Sequence, residues 1–156
     1  MTRVLVVGYG NPLRGDDGLG WQAARILAET EVGKGVEVLA CRQLTPDLSE
    51  QVSLAELVIF IDVSDQDPPG QLCCRPLTAV DAPTRAFSHD LTPAALLQWA
   101  RELYGATPAC LLISVGAETF AFGEGLSQTV ARSLPALLAC VREKIRASEG
   151  SQDEKP

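Results

Sequence analysis

An unbroken apolar run, Val4 to Val7, opens the chain and leads directly into a glycine-rich turn, Gly8 to Gly15. No polar residue alternates within the run, so both faces of this strand must be buried. That is the habit of a parallel sheet covered by helices on both sides. The turn then delivers two adjacent carboxylates, Asp16 and Asp17, to what reads as the start of a helix. A nucleotide-binding turn, a capped helix without chemistry, and half of a metal site all fit this pattern.

The alternation continues along the chain. Arg3–Gly8 reads as a strand and Gly18–Thr30 as a helix, with Leu19, Ala23, Ile26 and Leu27 at helical spacing. Val36–Ala40 is a second strand, and Thr45-Pro46 supplies a threonine cap and a first-turn proline for a helix reaching Glu56. Leu57–Asp62 is a third, wholly apolar strand ending in an acid. A turn-rich loop follows at Asp65–Gly70, then a fourth strand at Leu72–Leu77. Thr92-Pro93 opens a helix to Leu103, Ala109–Val115 is a fifth strand, and a long helix starts at Ser127 with Pro135 set to kink or break it. The expected fold is therefore α/β: a mainly parallel, five-stranded twisted sheet with helices on both faces, a three-layer sandwich. The expected organisation is one domain over residues 1–147 and a polar, frayed tail over residues 148–156.

Bulk composition narrows the partners. With 156 residues the chain buries a full core without disulfides or metal. Thirteen basic and twenty acidic residues give a net charge of −7, which disfavours nucleic acid and anionic membranes. No run approaches the ~20 apolar residues of a membrane span, and no secretory signal is read. Cys41, Cys73, Cys74, Cys110 and Cys140 contain no C-x-x-C spacing, so they suggest buried small side chains in a reducing cytoplasm.

The residues with chemical capacity fall at strand ends: Asp16 and Asp17 after the first, Asp62 at the end of the third, and the sole histidine, His89, after the fourth. In such sheets ligands sit beyond the carboxyl ends of the strands, and all of these residues are expected on that edge. Taken singly, each has an ordinary role. Asp17 can cap a helix for ~1 kcal/mol, Asp16 can interact with the helix dipole, and Asp62 can shape a turn. Together, two carboxylates and an imidazole can converge on a divalent cation and leave coordination positions open. Dinucleotide binding fits less well, because Leu13 stands where the third glycine of G-x-G-x-x-G belongs and two acids would face the pyrophosphate. One histidine and no G-x-S-x-G argue against a serine hydrolase. Trp21 and Trp99 read as helix-face packing residues.

The segment Gly10-Asn11-Pro12-Leu13-Arg14-Gly15-Asp16-Asp17-Gly18-Leu19-Gly20 resembles the opening motif of the nickel-iron hydrogenase maturation proteases. Phe60-Ile61-Asp62, Ser88-His89-Asp90-Leu91-Thr92-Pro93 and Val115-Gly116-Ala117-Glu118 fall where that family has its counterparts. The resemblance implies a phosphorylase/hydrolase-like fold. It also implies an endopeptidase that removes the C-terminal extension of a hydrogenase large-subunit precursor after nickel insertion. Nickel, carried by the substrate's cysteines, is then the recognition element, and zinc or cadmium-like ions can occupy the site in isolation. Carried over by motif position, Asp17, Asp62 and His89 contact the metal. Asp17 stands where some members have glutamate, a reach shorter by one methylene. Asp16 is then structural or orients a water, and Glu118 helps shape the cleft. The alternative is a non-enzymatic metal-binding maturation scaffold using the same ligands. A hydrolase acting on a small metal-chelated substrate also remains open.

Overall fold

In this computed structural model, which describes residues 2–81 and 91–153, successive residues of the first strand turn to opposite faces and both faces are covered. The strand, β1 (Val4–Tyr9), sends Val4 and Val6 into one core and Leu5 and Val7 into another, all four fully buried. The remaining strands are β2 (Val36–Cys41), β3 (Leu57–Pro69), β4 (Leu72–Pro76) and β5 (Ala109–Gly116). They form one five-stranded sheet in the order β2-β1-β3-β5-β4, parallel except for β4. Helices α1 (Leu19–Ala28) and α4 (Gln128–Asp153) cover the face of Val4 and Val6. The face of Leu5 and Val7 is covered by α2 (Leu48–Ser53) and α3 (Pro93–Tyr104). The expected α/β sandwich with a mainly parallel sheet is what the chain forms.

From β1 the chain moves outward to β2, and from β3 it moves to the other side of the sheet. The connections thus diverge between the neighbours β1 and β3, and the crevice opened at their carboxyl ends is where such sheets bind ligands. Tyr9 ends β1 there, and pairing of β1 with β3 stops at Gly8 and Ile61, one residue before Asp62.

Several elements differ from the sequence expectation. β3 does not stop at Asp62. It continues along β5 through Ser64, bulges, and reaches Pro69, so the expected loop Asp65–Gly70 is mostly extended chain. The two prolines at its end sit where the strand leaves the ladder and needs no further donors. A tight turn at Gly70 (φ +81°) and Gln71 then makes β4 antiparallel. Its last residue therefore lies at the amino edge of the parallel strands, not at the carboxyl edge expected for the approach to His89. The helix expected from Thr45 to Glu56 shortens to the six residues of α2, because Thr45 and Pro46 form a turn whose carbonyls accept from Leu48 and Ser49. Thr92 does cap its helix, accepting from the Ala95 N–H at 3.1 Å, and Gly105 closes it in the left-handed region.

Pro135 does not break α4. It and Ala131, whose carbonyl loses its i+4 donor, are both exposed, so water satisfies that carbonyl. α4 continues past residue 148. The helix runs to Asp153, and Ser148 and Glu149 accept hydrogen bonds from the Arg3 guanidinium at the start of β1. Among the described residues no helix is long and apolar enough to cross a membrane.

The first turn of α1 lies against the backbone of β1 and β3. A Cβ on Gly20 would stand 2.3 Å from the Ile61 carbonyl oxygen and 2.5 Å from that of Tyr9. Neither backbone atom can move without shifting a strand. Gly20→Ala is therefore expected to lower stability by about 2–3 kcal/mol, seen as a lower urea midpoint at constant slope. An unchanged midpoint would contradict this packing.

Candidate functional site

The turn after β1 is built to separate two neighbouring carboxylates. Gly10 adopts φ +144°, and a Cβ there would lie 1.8 Å from the Asp17 carbonyl oxygen, so only glycine lets the chain fold back this closely. Asn11 Oδ1 accepts from the Leu13 N–H (2.9 Å), an Asx turn. Residues Gly15–Gly18 then form a single 3₁₀ turn ahead of α1. At three residues per turn, adjacent side chains leave in different directions. Asp16 enters the interior, and Asp17 faces the crevice. Neither acid caps a helix, since no side-chain cap bond is made at the 3₁₀ turn or at α1.

Asp16 is fully buried, and all its partners come from the far end of the chain. Its Oδ2 accepts from the N–H groups of Glu118 (2.9 Å) and Thr119 (3.0 Å) and from the Ser127 hydroxyl (2.9 Å). Its Oδ1 accepts from the Ser127 N–H (2.7 Å). Burial by itself would raise this carboxyl, but the donors from Ser127, Thr119 and Glu118 outweigh it and hold it below the usual carboxylate range. Three of these four bonds converge on Oδ2 and one on Oδ1, so Asp16 is tied to the chain itself and has no exposure to the cleft. Glu118 contributes its backbone N–H, while its side chain is exposed and does not line the cleft.

Asp17 lines a cleft of about 710 Å³ together with Tyr9, Asn11, Arg14, Arg42, Leu91 and Phe120, among others. The Asn11 N–H donates to its Oδ2 at 2.8 Å, and its other oxygen has no hydrogen-bond partner among the described residues. Asp62 does not line this cleft but sits behind Tyr9, whose hydroxyl donates to Asp62 Oδ2 at 2.7 Å. Oδ1 of Asp62 accepts from the Val63 N–H (2.7 Å). Burial pushes the Asp62 carboxyl up to about 6. The Tyr9 and Val63 donors pull it down, and the charges of Asp17 and Asp65 add to the rise. Tyr9 itself is raised far above the usual phenol range, by burial first and then by the charge of Asp62. It therefore stays a neutral donor. The two proposed ligands are thus neighbours at the crevice between β1 and β3.

His89 lies outside the described residues. Among those described, no three His, Cys, Asp or Glu side chains stand together as a metal site. Asp17 is the carboxylate that lines the cleft, whereas both oxygens of Asp62 already accept hydrogen bonds behind Tyr9.

Sequence reasoning passed over Tyr9, although a lone hydroxyl in register with Leu5 and Val7 at a strand end was a usable signal. It also passed over Ser114, a buried hydroxyl on β5 in register with Asp62, visible as the one polar residue in Leu111–Val115. Trp21 departs from its expected packing role by lining a second recess beside the cleft, and Trp99 is partly exposed on α3.

No family model and no curated protein matches this sequence. Solved structures do. The NiFe hydrogenase maturation protease HycI from Thermococcus kodakarensis superposes with a TM-score of 0.76 at 22% identity, covering 93% of each chain. The hydrogenase maturating endopeptidase HybD from E. coli gives 0.77 at 23% identity, covering 94% of each. A hydrogenase 2 maturation peptidase from a Thaumarchaeota archaeon gives 0.68 at 27% identity, over 92% of this chain and 98% of that one. The chain has the fold of these maturation proteases over nearly its whole length.

Asp16 yields a pH-dependent prediction. Its folded pKa is depressed, so its contribution to stability is complete above the unfolded value of ~3.9 and is lost as pH falls through the folded value. Asp16→Asn, which turns an amide toward several donors, should cost about 3–5 kcal/mol at pH 7. Denaturant titrations should show that gap shrinking below about pH 4. A gap constant down to pH 2 would contradict the assignment.

Proposed function

We propose that this protein is a nickel-recognising endopeptidase of the cytoplasm that removes the C-terminal extension from the precursor of a nickel-iron hydrogenase large subunit. The observation that carries the reading is Asp17 lining the cleft at the divergence of β1 and β3, with Asp62 behind Tyr9 and close enough for the charge of Asp17 to raise its carboxyl. It occurs in a fold shared with maturation proteases and behind the Gly10–Gly20 motif.

In this reading Asp17, Asp62 and His89 contact the nickel that the substrate carries. The donor set fits such an ion: two carboxylates and one imidazole suit a borderline first-row cation and leave positions to the substrate's own ligands. Asp17 is aimed by the Asn11 amide and keeps one oxygen open toward the cleft. Asp62 is aimed by Tyr9 and Val63. Support for His89 comes from Leu91, two residues later, which lines the same cleft. Substrate nickel supplies a docking contact and a Lewis acid beside the scissile carbonyl. The residues of the chain orient the peptide and shield it from bulk water.

Mass spectrometry of the purified protein with nickel-loaded and nickel-free precursor tests this. Only the loaded form should be shortened. Asp17→Asn and His89→Ala should lose more than the roughly 10–100-fold that outer-shell changes cost, without a change in melting temperature. Tyr9→Phe removes only the bond that aims Asp62 and should fall within about 10–100-fold. Equal cleavage of both precursors would overturn nickel recognition, and ion binding without cleavage would favour the scaffold reading.

A further inference from the structure

The cleft that holds Asp17 is lined by two arginines, in a chain whose net charge is −7. Arg14 lies in the turn after β1 and Arg42 directly after β2. Both are exposed, and the one carboxylate that lines the same cleft among the described residues is Asp17, with which neither forms an ion pair. Arg14 is held in place. Its guanidinium stacks 5.1 Å from the ring centroid of Phe122. Its backbone is pinned by the Gly123 N–H donating to Leu13 (2.9 Å) and the Gly15 N–H donating to Gly123 (3.0 Å). Arg42 stands where two cavities meet. It lines both the cleft and a neighbouring recess of about 340 Å³ walled by Pro12, Leu13, Trp21 and Leu126. Glu124 lines that recess but not the cleft, so among the described residues Asp17 alone offsets the two arginines there.

We propose that Arg14 and Arg42 bind a carboxylate of the peptide that enters this cleft, with an apolar side chain of the same peptide seated in the recess beside Trp21. The inference rests on the peptidase reading and adds to it a charge preference. Guanidinium forks pair with carboxylates through two parallel N–H···O bonds, which fixes register as well as affinity. The carboxylate can belong to an acidic side chain or to a free C-terminus, which present the same group.

Three hexapeptides of matched apolar composition separate these cases. One contains a single glutamate and an amidated end, one has only a free C-terminal carboxylate, and one is neutral and amidated. Each is titrated into the protein while the arginine Nε–H signals of Arg14 and Arg42 are followed by NMR. At least one anionic peptide should shift both signals and bind about tenfold more tightly than the neutral one. That advantage should vanish in Arg42→Gln and Arg14→Gln and return in part in Arg42→Lys. Which anionic peptide responds identifies the source of the carboxylate. Equal binding of the neutral peptide, affinity unchanged in both glutamine variants, or no response to any peptide would each overturn the proposal. These peptides carry no nickel and are not cut, so this result and the precursor-cleavage result can fail independently.

Discussion

Asp16 sits in the interior with no cation beside it among the described residues, and four hydrogen bonds from Glu118, Thr119 and Ser127 are what make that burial tolerable. Removing such donors leaves a charge in a low-dielectric interior, at a cost of several kcal/mol. The same contact reaches further than electrostatics. The Ser127 hydroxyl donates to Asp16 and also accepts from the Val130 N–H, so the residue that satisfies the carboxylate also starts α4. Through Val130, Leu137, Val141 and Ile145 that helix closes one of the two cores. The turn after β1, the loop after β5 and the placement of α4 are thus one connected arrangement.

Much of this was legible from residue patterns. Uninterrupted apolar strands announced a sheet buried on both faces, and Thr92-Pro93 announced a capped helix. What escaped was decided by distant pairing. Asp65, Pro68 and Pro69 have turn chemistry, yet β3 runs on through them and resumes its pairing with β5 at Pro69. The direction of β4 depended on how tightly the chain could reverse at Gly70, which composition does not report. At the site, the identity of Asp17 and Asp62 could be read, but their environment could not. That Tyr9 would stand between Asp62 and the cleft follows only from the register of β1 against β3.

Two adjacent aspartates of identical chemistry end in opposite states because successive side chains of the 3₁₀ turn that carries them leave in different directions. One is held by four donors and acts as a fastener. The other lines the cleft and accepts a single hydrogen bond from the described residues. Asp62 is a third case, held by one phenol and one amide and raised toward neutral pH by its burial. Backbone geometry, more than residue type, distributes these roles.

The pairing of Asp16 with residues more than one hundred positions later has a consequence for how the molecule comes into being. Loops this long close slowly, because the entropy of bringing their ends together precedes any contact that rewards it. As a ribosome extends the chain, Asp17 and Asp62 emerge well before residues 118–127, which brace the turn that carries Asp17. A nascent chain ending before Ser127 would carry the carboxylates without their support. The turn that presents Asp17 is therefore braced only after residues 118–127 have been made and have folded back onto Asp16.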